Sequence, residues 1–396
     1  MIRNHLRLTK RIFRISEIRN ETSALNSHRY YTTSSTSTSI FSEEFHKMKT
    51  DMEVISHISE QIKLKGYASE SALDIDQVSE EGRINVGNTI PILSLTTCEM
   101  LKQETIPNLF QGNFDTGIFP DEWHWRQGIS RDDAAREMCN SWKASRVIAS
   151  IVLNKHLGEF ISKVMGWQSV RIAQDDIVWK TPTGNRDCNI AHEHINTVGF
   201  HQDSAYISTQ FEPYENNSVT LWIALDDANE ENGCLEYAMG SHRWPIPHLN
   251  SINDNLGSSS FHHSDEFSYR NSSLHDAYEN HVRNSENNAR DLKIETVNVN
   301  TSYGILHHQD AWHGSGPNVS FDKHRRALVA HYLDGNVQFA NDGNRRNPPF
   351  GKTSYIYGRY KRYQSTEVDE TFFPVIYTVP DASHRRTEWI DEYINI

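Results

Sequence analysis

The first ordered pattern of apolar residues begins after Ser42 and has the period of a helix. Apolar side chains recur at three- and four-residue steps at Phe45, Met48, Met52, Ile55, Ile58 and Ile62. This spacing predicts a helix with one packed face, ending near Gly66. A second helix is expected to open at Ser130, and a third to run over residues 144–165.

After residue 166 the pattern changes to short runs that are typical of β-strands. The runs cover residues 170–180, 197–203, 218–225, 234–238, 292–299, 302–308 and 325–333. Turn-forming pairs such as Asn232-Gly233 separate most of them. Short strands with few helices between them predict a mainly β sandwich or barrel, with the earlier helices flanking one sheet. Residues 246–291, rich in Asn, Ser, His and Asp, interrupt the strands and are expected to form a lid.

Composition narrows the class of protein. The 396 residues are 37% hydrophobic, which is enough for one large domain or two small ones. No apolar run reaches 18 residues, so no membrane span is expected. The net charge of -13 argues against nucleic acid as the main partner. Four scattered cysteines without a C-x-x-C pair indicate core thiols in a reducing compartment; they are Cys98, Cys139, Cys188 and Cys234.

Residues 1–40 differ from the rest of the chain. They carry seven basic side chains against two acidic ones, followed by a Ser/Thr tract. This composition is typical of a mitochondrial transit peptide, with a processing signal at Arg29-Tyr30-Tyr31. The alternative is a disordered tail on a cytoplasmic protein.

A possible metal site lies in the predicted strand over 197–203. His201 and Asp203 are two residues apart, so both side chains project from one face. A third ligand can come from His313, which follows 112 positions later. Two imidazoles and one carboxylate form the ligand set of non-haem iron(II) oxygenases, which leaves positions open for a co-substrate and dioxygen.

The strand after His313 begins with two arginines. Arg325 and Arg326 point to opposite faces, so only one of them can enter a barrel. A buried arginine presents a planar fork that suits the distal carboxylate of 2-oxoglutarate.

Taken in order, four motifs resemble the phytanoyl-CoA dioxygenase family. They are His201-Gln202-Asp203, Asn232-Gly233-Cys234-Leu235, Gly240-Ser241-His242 and His313-Gly314-Ser315-Gly316-x-Asn318. The resemblance covers about 150 residues, from Lys180 to Tyr332. It implies a double-stranded β-helix (jelly roll), the cofactors iron(II), 2-oxoglutarate and dioxygen, and hydroxylation of a small-molecule or acyl-CoA-like substrate.

The resemblance also implies roles for individual residues. The metal ligands fall on His201, Asp203 and His313, and the co-substrate arginine falls on Arg325. The other co-substrate positions match Ser315, Trp222 and Lys180. One departure is the spacing from His313 to Arg325, which is one residue longer than the family's pattern, so Arg326 stays an alternative. Relatives that halogenate lack the carboxylate, so Asp203 favours hydroxylation.

The domain organisation expected from these observations has three parts. Residues 1–40 are the transit peptide or tail, 41–90 a helix and linker, and 91–396 the dioxygenase-like domain with its insertion at 246–291. Two other functions remain open: a catalytically silent 2-oxoglutarate-binding member of the fold, and a metal-dependent cupin-like isomerase or hydrolase that needs no arginine-bound co-substrate.

Other residues of ligand type have simpler interpretations. His308-Gln309-Asp310 is a second H-x-D, but no later strand would supply both a third histidine and the arginine, except through His331. We expect His307 or His308 to pack in a sheet. His192, Glu193 and His194 are expected on a loop, and the basic residues Arg359, Lys361 and Arg362 on a solvated strand or edge.

Overall fold

The computed structural model describes residues 39–68, 90–183, 196–244, 272–284, 292–340, 355–382 and 385–394. Most of the predicted transit segment, the later part of the linker, His192 to His194 and most of the insertion lie outside these ranges. The transit peptide, the lid and the domain boundaries therefore stay predictions. From Ile40 onward the chain forms one compact unit.

Most helices of the first half are short and begin at a side-chain cap. They are α1 (Glu43–Met48), α2 (Met52–Lys65), α3 (Leu95–Met100), α4 (Ile106–Phe110), α5 (Arg146–Val152) and α6 (Lys155–Met165). The π-helical segment Leu101–Thr105 joins α3 to α4. Asp51 divides the first predicted helix because its carboxylate caps α2. Gly66 ends α2 with a φ of 93°, as expected from its position.

Besides the division of the first predicted helix, two further helix predictions are wrong. The stretch predicted as one helix over 144–165 is two helices, because the side chain of Asn154 accepts a hydrogen bond from the backbone of His156 and starts α6. No helix opens at Ser130. Instead, Arg131 pairs with the buried carboxylate of Asp133 through two hydrogen bonds of 2.9 and 2.8 Å, and the chain enters a strand at Arg136. Pairing with a long neighbouring strand outweighs the local helix signal there.

Most of the remaining elements are strands. They are β1 (Tyr67–Ala68), β2 (Ile90–Pro91), β3 (Glu122–Trp123), β4 (Arg136–Cys139), β5 (Ser169–Lys180), β6 (Val198–His201), β7 (Phe211–Glu212), β8 (Ser218–Ala224), β9 (Leu235–Ala238), β10 (Ile294–Val297), β11 (Tyr303–His308), β12 (His313–Ser315), β13 (Arg325–Asp334), β14 (Gln338–Phe339) and β15 (Val375–Thr378). Three helices lie among or after them: α7 (Ser272–Asn284), α8 (Tyr355–Gly358) and α9 (Trp389–Ile394).

Two antiparallel sheets form a jelly roll. Within the described residues, the larger sheet has nine strands in the order β1-β11-β8-β13-β5-β4-β3, with β2 also paired to β11 and β15 to β5. The smaller sheet has the order β10-β9-β12-β6. Most neighbours in the two sheets are not consecutive in sequence, as in a double-stranded β-helix. The predicted fold class, mainly β with flanking helices, is confirmed.

The outer face of the larger sheet is covered by helices. Its outward apolar residues, such as Leu221 and Leu328, belong to the main hydrophobic core together with Phe45 of α1 and Phe160 of α6. A second cluster, which includes Trp222 and Tyr237, fills the space between the sheets. The three described cysteines are buried free thiols. None of the helices in the described ranges is both long and apolar enough to cross a membrane.

The C-terminal basic residues do not form a strand or an edge face, so that prediction is wrong. They follow the short helix α8, and each of them donates a hydrogen bond within the protein. Lys361 donates to the carbonyl of Ala340. Arg362 pairs with Glu367 and Asp369 at 2.8 and 2.7 Å.

Candidate active site

Three side chains of metal-ligand type converge between the two sheets. His201 ends β6, Asp203 opens the turn that follows it, and His313 begins β12, directly opposite His201 in the sheet. The Nε2 atoms of His201 and His313 lie 3.5 and 3.7 Å from Oδ1 of Asp203. One ligand atom from each residue lies within 4.8 Å of the other two, which is the spacing that a single bound ion requires.

Backbone carbonyls fix both imidazoles. Nδ1 of His201 lies 2.8 Å from the carbonyl oxygen of Gly199, and Nδ1 of His313 lies 3.0 Å from that of Ala311. Since a carbonyl only accepts, each Nδ1 carries the proton and each Nε2 lone pair faces the centre. Metal-binding histidines are commonly oriented in this way.

The protonation states suit metal binding. Burial lowers the pKa of His313 well below its usual value, which keeps the ring neutral. Burial alone would raise the pKa of Asp203, but the surrounding histidines, with His307 donating a hydrogen bond to Oδ2, hold it well below the usual carboxyl value. A neutral imidazole and an ionised carboxylate are the forms that bind a cation.

The outer oxygen of Asp203 faces a row of side chains on the larger sheet. His307 on β11, Thr220 on β8 and His331 on β13 are neighbours across the sheet. Oδ2 of Asp203 lies 2.5 Å from the Thr220 hydroxyl and 3.0 Å from Nε2 of His307. His331 contacts Thr220 at 2.8 Å and Asp176 at 3.0 Å. This polar row supports the carboxylate from behind.

A buried anion site lies beside the metal-ligand cluster. Lys180 and Arg325 are paired across β5 and β13 and are almost completely buried. Both donate to the hydroxyl of Ser315, at 2.6 and 3.2 Å. In the part of the chain that is described, neither cation forms an ion pair with a carboxylate. Buried charges are normally compensated, so this pair is suited to a bound anion.

The pKa values of these cations reflect their burial. Desolvation lowers the pKa of Arg325 to about 10. Desolvation, together with repulsion from Arg325, lowers that of Lys180 well below its usual value. The ring of Trp222 lies beneath Arg325, with the guanidinium carbon 5.5 Å from its centroid. Ser315 stands two residues after His313 on β12, so the anion site and the ligand cluster are about 7 Å apart along one strand.

The structure distinguishes the two candidate arginines. Arg325 lines the cavity, whereas Arg326 points to the other face and forms a bidentate ion pair with Asp226 at 2.7 and 2.8 Å. A further N–H of Arg326 donates to the carbonyl of Lys102. Arg325 is therefore the arginine placed to meet a co-substrate, and its role in binding stays a prediction.

The second H-x-D lies away from the cavity. Asp310 accepts a hydrogen bond of 2.5 Å from the hydroxyl of Tyr214, and its backbone N–H donates to Nδ1 of His308. His307 and His308 both lie on β11, as expected from the sequence. Within the described residues, His308 and Asp310 belong to no group of metal-ligand atoms.

The cavity contains about 550 Å³ of empty space, some of it open to solvent. Six of the seven site residues that the sequence singled out line the cavity. The seventh, Lys180, contacts the cavity wall through Ser315. Sequence reasoning missed Thr220, Glu137 and Asp176 as lining residues. The signal for Thr220 was present, because it stands two residues before Trp222 and so shares its face of β8.

The comparisons with known proteins agree with this site. Residues 125–327, which are just over half of the chain, match the model of the phytanoyl-CoA dioxygenase family. The chain belongs to this family. Iron(II), 2-oxoglutarate and dioxygen are the cofactors of phytanoyl-CoA dioxygenases, and the converging His, Asp and His side chains provide a fitting ligand set.

One similar phytanoyl-CoA dioxygenase relative is phytanoyl-CoA dioxygenase domain-containing protein 1 of Bos taurus. It is 26% identical over 129 residues, which are 33% of this chain and 39% of that protein. The match thus spans about two fifths of the relative's length, and the relative's activity as a whole is not carried over.

Solved structures share the jelly roll. The epimerase SnoN, in complex with Fe3+, alpha ketoglutarate and nogalamycin RO, superimposes with a TM-score of 0.52 at 14% identity, covering 82% of this chain and 100% of that chain. The carbocyclase SnoK from nogalamycin biosynthesis gives 0.51 at 16% identity, with 82% and 98% covered. At this identity the similarity shows the fold alone.

Proposed function

We propose that this phytanoyl-CoA dioxygenase family member hydroxylates a C–H bond of a small organic or acyl-type substrate. The observation that carries the proposal is the pairing of two sites in one cavity. His313, one of the two histidines that form the cluster with Asp203, lies on the same strand as Ser315, which two buried cations contact. A hydrolase or isomerase that uses only a metal has no need for the second site.

In this proposal His201, Asp203 and His313 hold iron(II). Arg325 and Lys180 bind the distal carboxylate of 2-oxoglutarate, Ser315 shares that carboxylate, and Trp222 forms the wall beside it. When bound, iron supplies the oxidation of the C–H bond by dioxygen, coupled to conversion of 2-oxoglutarate into succinate and CO2. The protein orients 2-oxoglutarate and the substrate and excludes water.

Asp203 favours hydroxylation over halogenation, because its carboxylate fills the position where a halide would bind. Proteins of the same fold include an epimerase and a carbocyclase, so the outcome of the oxidation has to be measured.

The first experiment is an anaerobic titration of the purified protein with iron(II) and then 2-oxoglutarate. We expect the weak visible charge-transfer band of the iron chelate, its loss in His313→Ala and its weakening in Arg325→Ala. The matched control is His308→Ala, which removes the histidine of the second H-x-D and is expected to keep the band. Wild-type protein that binds iron(II) without the band would refute the assignment of the co-substrate site.

A second experiment addresses the reaction itself. Candidate substrates are screened for stimulation of succinate formation, and the product of a stimulating substrate is made under ¹⁸O₂. Hydroxylation predicts one labelled oxygen in the product for each succinate formed. A product without label, such as an epimer or a newly closed ring, would rule out hydroxylation while leaving the cofactors in place.

We also propose a mitochondrial location, which rests on the Arg- and Ser-rich composition of residues 1–40. A fluorescent protein fused after residue 40 is expected to enter mitochondria. A diffuse cytoplasmic signal would instead favour the interpretation of residues 1–40 as a disordered tail.

A further inference from the structure

The two oxygens of Asp203 have different surroundings. Oδ1 faces the Nε2 atoms of His201 and His313, at 3.5 and 3.7 Å. Oδ2 faces the opposite way and contacts Thr220 and His307, at 2.5 and 3.0 Å. Asp203 is almost completely buried, with an exposed fraction of 2%.

Hydrogen-bond accounting fixes the proton on His307. Its Nδ1 lies 3.0 Å from the hydroxyl of Tyr237. If Nδ1 carried the proton, the lone pair of Nε2 would face the ionised oxygen of Asp203, which is repulsive. The tyrosine hydroxyl therefore donates to Nδ1, and Nε2–H donates to Asp203.

The same accounting applies to Thr220. An ionised carboxylate only accepts, so the single hydroxyl proton of Thr220 points to Oδ2 of Asp203. The hydroxyl oxygen can then accept from Nδ1 of His331, at 2.8 Å. His331 is held in turn by Asp176, at 3.0 Å from Nε2. Nδ1 of His331 supports this orientation of Thr220 only as a donor, because as an acceptor it would compete with Asp203 for the hydroxyl proton.

We infer that Thr220 and His307 act as positioning residues that keep Asp203 a one-oxygen ligand of the metal. An sp² oxygen offers two lone pairs, and the two donors occupy both of those on Oδ2. A carboxylate that bound through both oxygens would take one of the coordination positions that a chelating acid and dioxygen need. The row behind Asp203 therefore controls how many positions the protein itself fills.

This inference rests on the proposed function, and cobalt(II) provides a probe that is separate from turnover. The visible absorption of cobalt(II) changes in intensity with its coordination number. The apo full-length protein is titrated with cobalt(II) as wild type, Thr220→Val, Thr220→Ser and Ser218→Ala. Valine keeps the shape of threonine without the hydroxyl, and serine restores the hydroxyl.

Ser218 is the matched control. It lies on β8 two residues before Thr220 and loses a buried hydroxyl contact of 2.7 Å, made to Ser208 rather than to Asp203. Loss of stability alone would affect both variants in the same direction, whereas loss of carboxylate positioning would affect only Thr220→Val.

We expect Thr220→Val to bind cobalt(II) about 10- to 100-fold more weakly, as for other partners of metal ligands, with an altered visible spectrum. Thr220→Ser should restore both, and Ser218→Ala should match wild type. His307→Leu, which removes the other donor, should reproduce the effect if Thr220→Val does not fold.

Wild-type affinity and spectrum in both Thr220→Val and His307→Leu would overturn the inference. Failure of the wild type to bind cobalt(II) would instead refute the proposed function, and the inference with it. The two failures are distinguished by the wild-type titration.

Discussion

Replacing Arg325 by methionine is expected to weaken 2-oxoglutarate binding strongly while leaving the apo protein about as stable. Burial lowers the pKa of the guanidinium to about 10. This lowering corresponds to about 3 kcal/mol against the charged form. The side chain donates to Gly233 and Ser315, and these two hydrogen bonds offset part of the penalty.

A bound carboxylate removes the penalty, because it compensates the charge and accepts the remaining guanidinium donors. If about 3 kcal/mol of the binding free energy comes from this site, its loss raises the Kd for 2-oxoglutarate about 100-fold. The unfolding free energy of the apo protein should change by no more than about 1 kcal/mol, since the lost hydrogen bonds and the relieved burial oppose each other.

The assay is anaerobic titration calorimetry of 2-oxoglutarate into the iron(II)-loaded protein, with denaturant unfolding of the apo protein alongside. Arg326→Met is the control, because Arg326 is the sequence neighbour on the other face and pairs with Asp226. It should keep the wild-type Kd and lose about 2 kcal/mol of stability. The reasoning fails if Arg326→Met loses 2-oxoglutarate and Arg325→Met retains it.

Three further predictions concern stability and metal binding. Burial lowers the pKa of His308 to about 4, so the unfolded chain binds a proton between pH 6.5 and 4 and the folded protein does not. Stability contributed by His308 is complete above pH 6.5 and falls by about 2 kcal/mol by pH 5. His308→Asn should flatten this part of the curve relative to wild type in urea unfolding, and parallel curves would contradict it. Gly233→Ala should lower stability by about 1–3 kcal/mol, because Gly233 has a φ of 79° and a Cβ would lie 2.4 Å from the carbonyl oxygen of Gly316; an unchanged urea midpoint would argue against that contact. Excess iron(II), at about 100 times its Kd, should stabilise the wild type by about 2.7 kcal/mol and leave His313→Ala unaffected in anaerobic thermal melts; equal shifts would exclude His313 as a ligand.

The sequence was most informative where chemistry and alternation coincide. The two-residue spacing of His201 and Asp203 indicated a ligand pair, although the strand ends at His201 and Asp203 opens the turn that follows. The long alternating run from Arg325 placed one arginine inside. Alternation alone does not show which of Arg325 and Arg326 lies inside, because it shows only that the two side chains project from opposite faces. The answer depends on β13 lying between β8 and β5, which is a pairing over long sequence distances.

Local signals failed where distant partners decide the structure. The segment after Ser130 has acidic residues typical of a helix start, yet β4 pairs there with the edge of β5. The supporting row behind Asp203 was not predicted for the same reason. Thr220, His307 and His331 come from three strands, and only the sheet register brings them together.

Strand β13 has a consequence for how this protein can vary. Arg325 at one end faces the anion site, and His331 near the other end supports the carboxylate behind the metal cluster. The number of residues between Arg325 and His331 therefore decides whether both side chains lie on the same face of the strand. Inserting or deleting one residue between Arg325 and His331 would turn one of these two side chains to the helix-covered face. New substrates are therefore expected to be accommodated by changes at edge strands and loops, while the spacing of Arg325 and His331 along β13 stays constant.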